Sequence, residues 1–444
     1  MPKNIRGWMD TQEAWSRKKV SESNGNDAFF RHVGYVLRQF DGLEAGYRAN
    51  KNVPVLDHWA FQMLNGVGDM FDILPTVDED HRTDWASMTK EDIIREHSKA
   101  GHCSAMIKLT GNFSDLFIGH SSWWTFSNTN RIFKHYHFDY NDNSTAARKI
   151  SFSSYPGFLE SLDDFYMLGS GLAWTQTTNP VIDHSVYKHV KPESLLAWQR
   201  VRVASAMAHT GKEWYQALKR EYSGTYANQY MVVDFNLYKP NQPIADNTLW
   251  VIEEMPGLVV GRDQTSKLRL GYWPSYNVPY YREIFKRSGY VDMEKKHGNF
   301  FTYSLAPRGE LFRRDQGEVS DLKSFEDLMR SNDYKTDPYS FDGKVENPLY
   351  AICSRGDLSL NGSEPTGCYD TKVSSYNFGV LEQKAQIING PTSRYSGNNL
   401  PAFTWDEFPE RPHMGLPHVY EFDFIVTKPA SVEEEFFDIL SSID

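Results

Sequence analysis

The chain holds three cysteines, Cys103, Cys353 and Cys368, and the first has the most chemistry in its surroundings. It sits in KEDIIREHSKAGHCSAMIKLTGNFSDLFIGHSSWW. Thr89, with Asp92 behind it, forms a capping box that opens a helix; Ile93 and Ile94 give that helix an apolar face, and Gly101 closes it. A strand is predicted from Cys103, because Cys103, Ala105, Ile107 and Leu109 alternate with more polar neighbours, and Asp115 to Ser121 returns as a second strand after the turn TGNFS. A thiol at the leading edge of a strand suits a protein that cuts its own backbone between His102 and Cys103 and then uses the new first residue as nucleophile and base. A free α-amine titrates at about 7.7 to 8, close to where a base for a thiol should lie. The competing reading is a small buried hydrophobe.

The other candidates are weaker. His135, His137 and Asp139 share one strand face at metal-compatible spacing, with no further ligand pair in view. Asp163 and Asp164 precede a strand and read as solvated turn residues. Cys353 and Cys368 close a short loop and are either a disulfide, worth on the order of 3 kcal/mol in the chain-entropy model, or two reduced thiols. Glycosylation sequons stand at Asn112, Asn143 and Asn361 and lean toward a secretory route. No phosphate-cradling Gly-rich motif occurs, and no cofactor is expected.

These residues need a scaffold, and the pattern predicts one of helices and strands in blocks. Residues 1 to 50 read as helix, with Val33, Val36, Leu37 and Phe40 at helical spacing. Leu56 to Leu74 reads as another helix and Pro192 to Lys219 as a long one carrying Leu195, Leu196, Val203 and Met207. Strands are expected in RIFKHYHFDY, through SFSSYPGFLESLDDFYMLGSGLAWTQTT, and in NQYMVVDFNLY, NTLWVIEEM and GLVVGR. That order suits an α+β, four-layer αββα sandwich better than a doubly wound parallel sheet. With 444 residues there is material for a large core. Net charge of −11 and pI about 5.7 argue against a nucleic-acid partner. No apolar run is long enough to cross a bilayer, and the opening MPKNIRGWMDTQEAW does not read as a signal peptide. The acidic end SVEEEFFDILSSID reads as a surface helix or tail.

A family resemblance then covers nearly the whole chain. CSAMIKL, the downstream GHSSWW, SSYPGFLESLDDFYMLGSGLAWTQTT, YSGTYANQYMVVDFN, EEMPGLVVGRDQT, YWPSYNVP, SLAPRGELFRRDQ, LMRSNDYKTDPYS and HMGLPHVYEFDF occur in the order in which they stand in the phospholipase B-like family, which the chain resembles. The resemblance implies the N-terminal nucleophile hydrolase fold, a precursor cut before Cys103, and a lysosomal or secreted destination. The likeness starts near WMDTQEAW, inside the family's precursor, so the family's signal peptide and an early helix and strand region have no counterpart here.

Carried over residue by residue, the resemblance implies a pocket around Cys103. His120 would orient the thiolate or a substrate head group; otherwise it is a strand-end polar contact. Thr178 would bring a hydroxyl near the nucleophile. Asn277 would stabilise an oxyanion, an effect of about 2.7 to 4 kcal/mol for one well-placed side-chain amide. Arg308 would keep a cation near the new α-amine and lower its pKa, while Arg313, Arg314 and Asp315 form a structural ion-pair group. Trp123 and Trp124 would line the pocket. The chain would then divide into a mainly helical, propeptide-like part, 1–102, released or nicked on maturation, and a catalytic core, 103–444. The implied activity is removal of fatty acyl chains from phospholipids through a thioester, with peripheral contact to a lipid surface. Nearby alternatives are an amidase acting on an N-acyl compound, since Cys-first relatives of the fold mostly cleave amides, and a non-catalytic binder of lipid or a receptor.

Overall fold

The computed structural model describes residues 3–99, 102–360, 362–394 and 399–430. Its first layer is helical. The stretch expected as one helix over residues 1 to 50 is two, α1 (Lys3–Ser23) and α2 (Ala28–Ala49). The break comes where Asn24 and Gly25 take φ of 45° and 73°, and Asp27 then caps α2 by accepting the Phe29 N–H. The helix expected over Leu56 to Leu74 is likewise α3 (His58–Asn65) and α4 (Val67–Val77), joined at Gly66. Helix α5 (Lys90–Lys99) opens on the predicted box: the Asp92 N–H donates to Thr89 Oγ1 at 3.1 Å and the Thr89 hydroxyl donates to the Asp92 carboxylate at 2.7 Å. The expected stop at Gly101 lies outside the described residues.

The hairpin forms as its alternation predicts, with β1 (His102–Leu109) against β2 (Leu116–Thr125). Cys103 stands opposite Ser122 and Ala105 opposite His120. Strand β2 continues past Ser121 and so carries Trp123 and Trp124. Next come β3 (Ile132–His137), β4 (Lys149–Ser154), β5 (Phe165–Leu168) and β6 (Leu172–Thr178). The long helix expected over Pro192 to Lys219 is two pieces, α6 (Ala197–Met207) and α7 (Gly211–Lys219). Thr210 accepts the Glu213 N–H to start the second, and Leu195 bridges to Tyr222 instead of entering the first. Strands β7 (Asn228–Asp234), β8 (Leu249–Met255) and β9 (Leu258–Asp263) complete an antiparallel sheet in the order β3-β4-β5-β6-β7-β8-β9.

The rest of the chain builds the other side. It runs through α8 (Thr265–Leu268), β10 (Tyr272–Ser275), α9 (Arg282–Arg287), α10 (Tyr290–His297), α11 (Pro307–Asp315) and α12 (Leu322–Met329). A small ribbon, β11 (Phe341–Asp342) with β12 (Val345–Glu346), precedes β13 (Thr366–Cys368), β14 (Asp370–Ser375), β15 (Ala385–Asn389) and β16 (Ile425–Thr427). The second sheet has the order β10-β1-β2-β14-β15-β16, with β13 also paired to β2.

The two sheets face each other, and the side-chain period of two sorts residues into layers. Ala105, Ile107, Leu109 and Ile118 pack between the sheets against Phe165, Met167, Met231 and Val251. Outside the β3–β9 sheet, Tyr166, Trp174 and Tyr230 lie with Val201, Ala204 and Trp214 of α6 and α7. Outside the hairpin sheet, Met106, Phe117 and Val373 meet Phe312, Phe325 and Met329 of α11 and α12. Phe325 can approach because residue 119 is glycine; a Cβ there would come within 2.6 Å of its ring. This is the αββα sandwich that the block order predicts. Each fully buried side chain of this kind contributes about 1.5–3 kcal/mol. The N-terminal helices belong to the same core, since Ile5, Phe29, Val33, Phe40 and Ile73 join the same continuous apolar cluster.

Candidate active site

Cys103 is the free cysteine, and it is buried. Cys353 and Cys368 are joined as a disulfide with Cα atoms 4.9 Å apart, which selects the first of the two readings open in the sequence. The backbone of residue 103 is held on both sides. Its N–H donates to Asn277 Oδ1 at 3.2 Å, and its carbonyl accepts from Arg308 Nη1 at 2.6 Å. Arg308 Nη2 donates to the same Asn277 oxygen at 2.8 Å, and the guanidinium lies 4.2 Å from the Trp123 ring centre. Arg308 comes from the first turn of α11, which Pro307 starts.

Asn277 follows β10 in the left-handed region at φ 67°, a conformation Asn tolerates better than most residues. Every polar atom of it is engaged. Its Nδ2 donates to the Thr178 carbonyl at 2.6 Å, its N–H to Thr177 Oγ1 at 3.4 Å, and its carbonyl accepts from the Tyr290 hydroxyl at 3.0 Å. Thr178, at the end of β6, therefore meets Asn277 through its main chain, while its side chain lies by the Tyr226 hydroxyl.

The sulfur faces a buried charge cluster that the sequence reading misses. Lys372 Nζ donates to Ser122 Oγ at 2.6 Å and to Asp163 and Asp370, each at 2.7 Å. Arg131 pairs with the same two carboxylates at 2.6 and 3.0 Å and stacks on Tyr155. Two cations and two anions thus neutralise one another between the sheets, the condition under which buried charge is tolerated. Asp163 and Asp164, expected as solvated turn residues, are buried at 4% and 1% exposure. The cations beside Asp163 hold its carboxyl far below the usual range, whereas burial and the neighbouring acids push Asp164 well up.

His120 is in this layer, opposite Lys372 on β14 and Ala105 on β1, with Nδ1 3.4 Å from Ser122 Oγ. Its Nε2 has no hydrogen-bond partner. Burial and the Lys372 cation push its pKa well below 6.5, so the imidazole is neutral. Burial also pushes the Cys103 thiol up, opposed by the Lys372 cation and the Trp123 N–H.

Trp123 lies beneath Arg308 and beside the disulfide, and it lines a narrow cleft of ≈40 Å³ with Asn277 and Arg308. Trp124 points elsewhere, its ring 5.8 Å from Phe71. The His135, His137, Asp139 face gathers no ligands: His135 bonds Ser151 and Thr427, and His137 and Asp139 are exposed. Among the described residues, ligand-like spacing occurs instead at His120, Asp163 and Asp370, whose donor atoms lie within 4.8 Å, but Lys372 and Arg131 already serve both carboxylates. Arg314 pairs with Asp315 as expected and also with Asp337, while Arg313 pairs with Glu310 instead. Asn112 and Asn143 are exposed, and Asn361 lies outside the described residues.

Fold and site together define a layered αββα protein with a free thiol at the head of a central strand, its amide nitrogen and carbonyl held by an Asn and an Arg. The chain matches the Phospholipase B family over residues 1–427 and belongs to that family of hydrolases. It is 44% identical to "Phospholipase B-like 1" of Rattus norvegicus over 96% of this chain and 75% of that protein. It is 43% identical to "Phospholipase B" of Crotalus adamanteus over 96% of this chain and 76% of that one. "Phospholipase B-like protein D" of Dictyostelium discoideum is 35% identical over 96% of this chain and 76% of its own length. A mutant conjugated bile acid hydrolase from Clostridium perfringens aligns with 74% of this chain and 97% of its own at 11% identity, with a TM-score of 0.35, too loose a likeness to bear on the chemistry.

Proposed function

We propose that this chain is a Cys-nucleophile hydrolase, matured by a cut between His102 and Cys103, that removes fatty acyl chains from phospholipids through a thioester. The observation that carries the reading is the grip on residue 103: Asn277 Oδ1 accepts its N–H while Arg308 holds its carbonyl. That leaves a strand-leading amide nitrogen in a polar side-chain cradle, where a new α-amine would keep its acceptor.

In the cut, the Cys103 thiol gives up its proton and its sulfur adds to the His102 carbonyl carbon. The C–N bond breaks as the nitrogen takes a proton, and water then hydrolyses the thioester to a His102 carboxylate and a free thiol. His120 on the facing strand is the candidate acceptor of the first proton, a weak one because burial holds its pKa well below 6.5. In turnover the α-amine of Cys103 takes the thiol proton, the sulfur attacks the acyl carbonyl, the head-group alcohol leaves with a proton, and water releases the fatty acid. Arg308, beside the residue 103 main chain, would lower the pKa of that amine and keep part of it as free base in acid. Asn277 serves the amine through Oδ1; its Nδ2 reaches an oxyanion only after leaving the Thr178 carbonyl. The disulfide and the exposed Asn112 and Asn143 support passage through an oxidising route to a lysosomal or extracellular site.

Intact mass and N-terminal sequencing after acid incubation test the proposal. A fragment beginning CSAMIKL, together with fatty acid release that Cys103→Ala abolishes along with the cut, is the expected result. Acyl release by an unbroken chain, or by Cys103→Ala, overturns it.

A further inference from the structure

Cys103 stands directly opposite Ser122 in the register of β1 and β2, and residues so paired carry their side chains on one face with Cβ atoms about 4.5–5.5 Å apart. The hydroxyl across from the sulfur is therefore Ser122 Oγ. It accepts from Lys372 Nζ at 2.6 Å and donates its own hydrogen to Asp163 Oδ2 at 2.9 Å, while the Ser122 N–H donates to Asp370 Oδ1 at 3.1 Å. Both the serine and the lysine are buried.

The Ser122 hydrogen can leave Asp163 at little cost. When it turns to the sulfur, Asp163 keeps Lys372, Arg131, Ser153 and Ser161 as donors, at 2.6 to 3.1 Å. The Lys372 ammonium stays on the serine oxygen and polarises the hydroxyl, and a donor of that kind makes its strongest bonds to an anion. Other groups near residue 103 are committed. Arg308 is spent on the Cys103 carbonyl, Ser104 Oγ and Asn277 Oδ1, and His120 is held neutral by burial and by Lys372 itself. Burial pushes the Cys103 thiol up, and of the charges that act on it Lys372 acts more strongly than Asp163 or Asp370.

Resting on the hydrolase reading above, we infer that Ser122 is a further catalytic residue, the hydrogen-bond donor to the Cys103 thiolate, and that Lys372 is the positioning residue that holds and polarises it. A buried thiolate with no donor loses its hydration and gains nothing in return. The charge cluster then does more than neutralise itself. Asp163 and Asp370, each shared with Arg131, fix the ammonium on Ser122.

The test is the rate at which iodoacetamide labels Cys103 in the folded full chain at about pH 8, read by mass spectrometry, since the thiolate is the species that reacts. With Cys353 and Cys368 joined, Cys103 is the free thiol. Ser122→Ala should label about three- to tenfold more slowly than wild type: one hydrogen bond to a charged group is lost, partly offset by the higher reactivity of a less stabilised thiolate. Lys372→Met should be slowed at least as much, whereas Arg131→Met, which takes a cation from the same carboxylates, should stay within about twofold. The direction excludes a packing role, because a core loosened by substitution exposes the sulfur and labels faster. Ser122→Ala keeps every charge, so it carries the test if Lys372→Met does not fold. Labelling of Ser122→Ala at or above the wild-type rate, equal slowing by Arg131→Met, or a wild-type thiol left unlabelled overturns the inference. The cut before Cys103 and acyl release, followed in the same variants, should fall in step with labelling. The expected labelling pattern in a wild-type chain that releases no fatty acid leaves the Ser122–Lys372 donor standing and counts against the hydrolase reading instead.

Discussion

Asn277 is a single side chain asked to do several things, and its bonds rank them. Its oxygen takes both the Cys103 N–H and an Arg308 N–H, so replacing it with alanine removes the acceptor for the α-amine and leaves a buried guanidinium short of a partner. Asn277→Ala should slow both the cut and acyl release by about 10²–10³-fold, the usual cost of losing one preorganised polar group at a reacting centre. Timed appearance of the fragment that begins at Cys103, with fatty acid release on the same samples, measures both. Lys372 acts differently, because its buried ammonium neutralises Asp163 and Asp370. Lys372→Met strands one negative charge beyond what Arg131 can offset, and a loss of about 3–5 kcal/mol is expected in denaturant unfolding. A loss under about 1 kcal/mol would mean that the cluster is less dry than its burial suggests.

At the scale of elements, the question is what a cut before β1 does to the helices ahead of it. Helices α1, α2 and α4 supply Ile5, Phe29, Val33 and Ile73 to the same continuous apolar cluster. Polar groups tie them further: buried Asp69 on α4 accepts the Ala197 N–H that opens α6, and half-buried Arg31 on α2 pairs with Asp142. Release of 1–102 would expose that apolar surface, so the notional propeptide should remain as a bound subunit. After cleavage the two pieces, 1–102 and 103–444, are expected to co-elute at the mass of the intact chain in gel filtration and to separate only in denaturant. Separate, later elution of free 1–102 would contradict this.

Over the whole molecule, buried carboxylates dominate the response to pH. Burial raises Asp69 to about 6 and Asp72 and Glu253 to about 7. Groups whose folded pKa exceeds the unfolded value of about 4 bind more protons in the native state between those limits, so their stabilising contribution is complete at low pH and is lost as pH rises through 6 to 7. His120 and His32, buried and neutral, act in the opposite sense once pH falls below about 6.5. Between about pH 8 and 6.5 the carboxylates outweigh these histidines, which are only part-titrated in the unfolded chain there. The unfolding midpoint should be higher at pH 6.5 than at pH 8, by about 2 °C in calorimetry. A flat profile there would show that these acids are hydrated in solution.

What the sequence determined by itself was local. The capping box at Thr89, the alternation that makes Cys103 the head of a strand, and the block order of helices and strands all follow from interactions between near neighbours, and they hold in the structure. Helix lengths were overestimated at Gly66 and near Asn24 and Thr210, because periodicity continues across a break that only packing and cap geometry reveal. Tertiary structure alone decided the polar layer. Asp163 reads as a turn acid and nothing in the sequence singles out Lys372, since strand alternation says which residues share a face but not what that face meets. Only the stacking of two sheets turns both inward, and once water is excluded the two residues must find each other, which is why the charge beside the sulfur is invisible in the chain and obligatory in the fold.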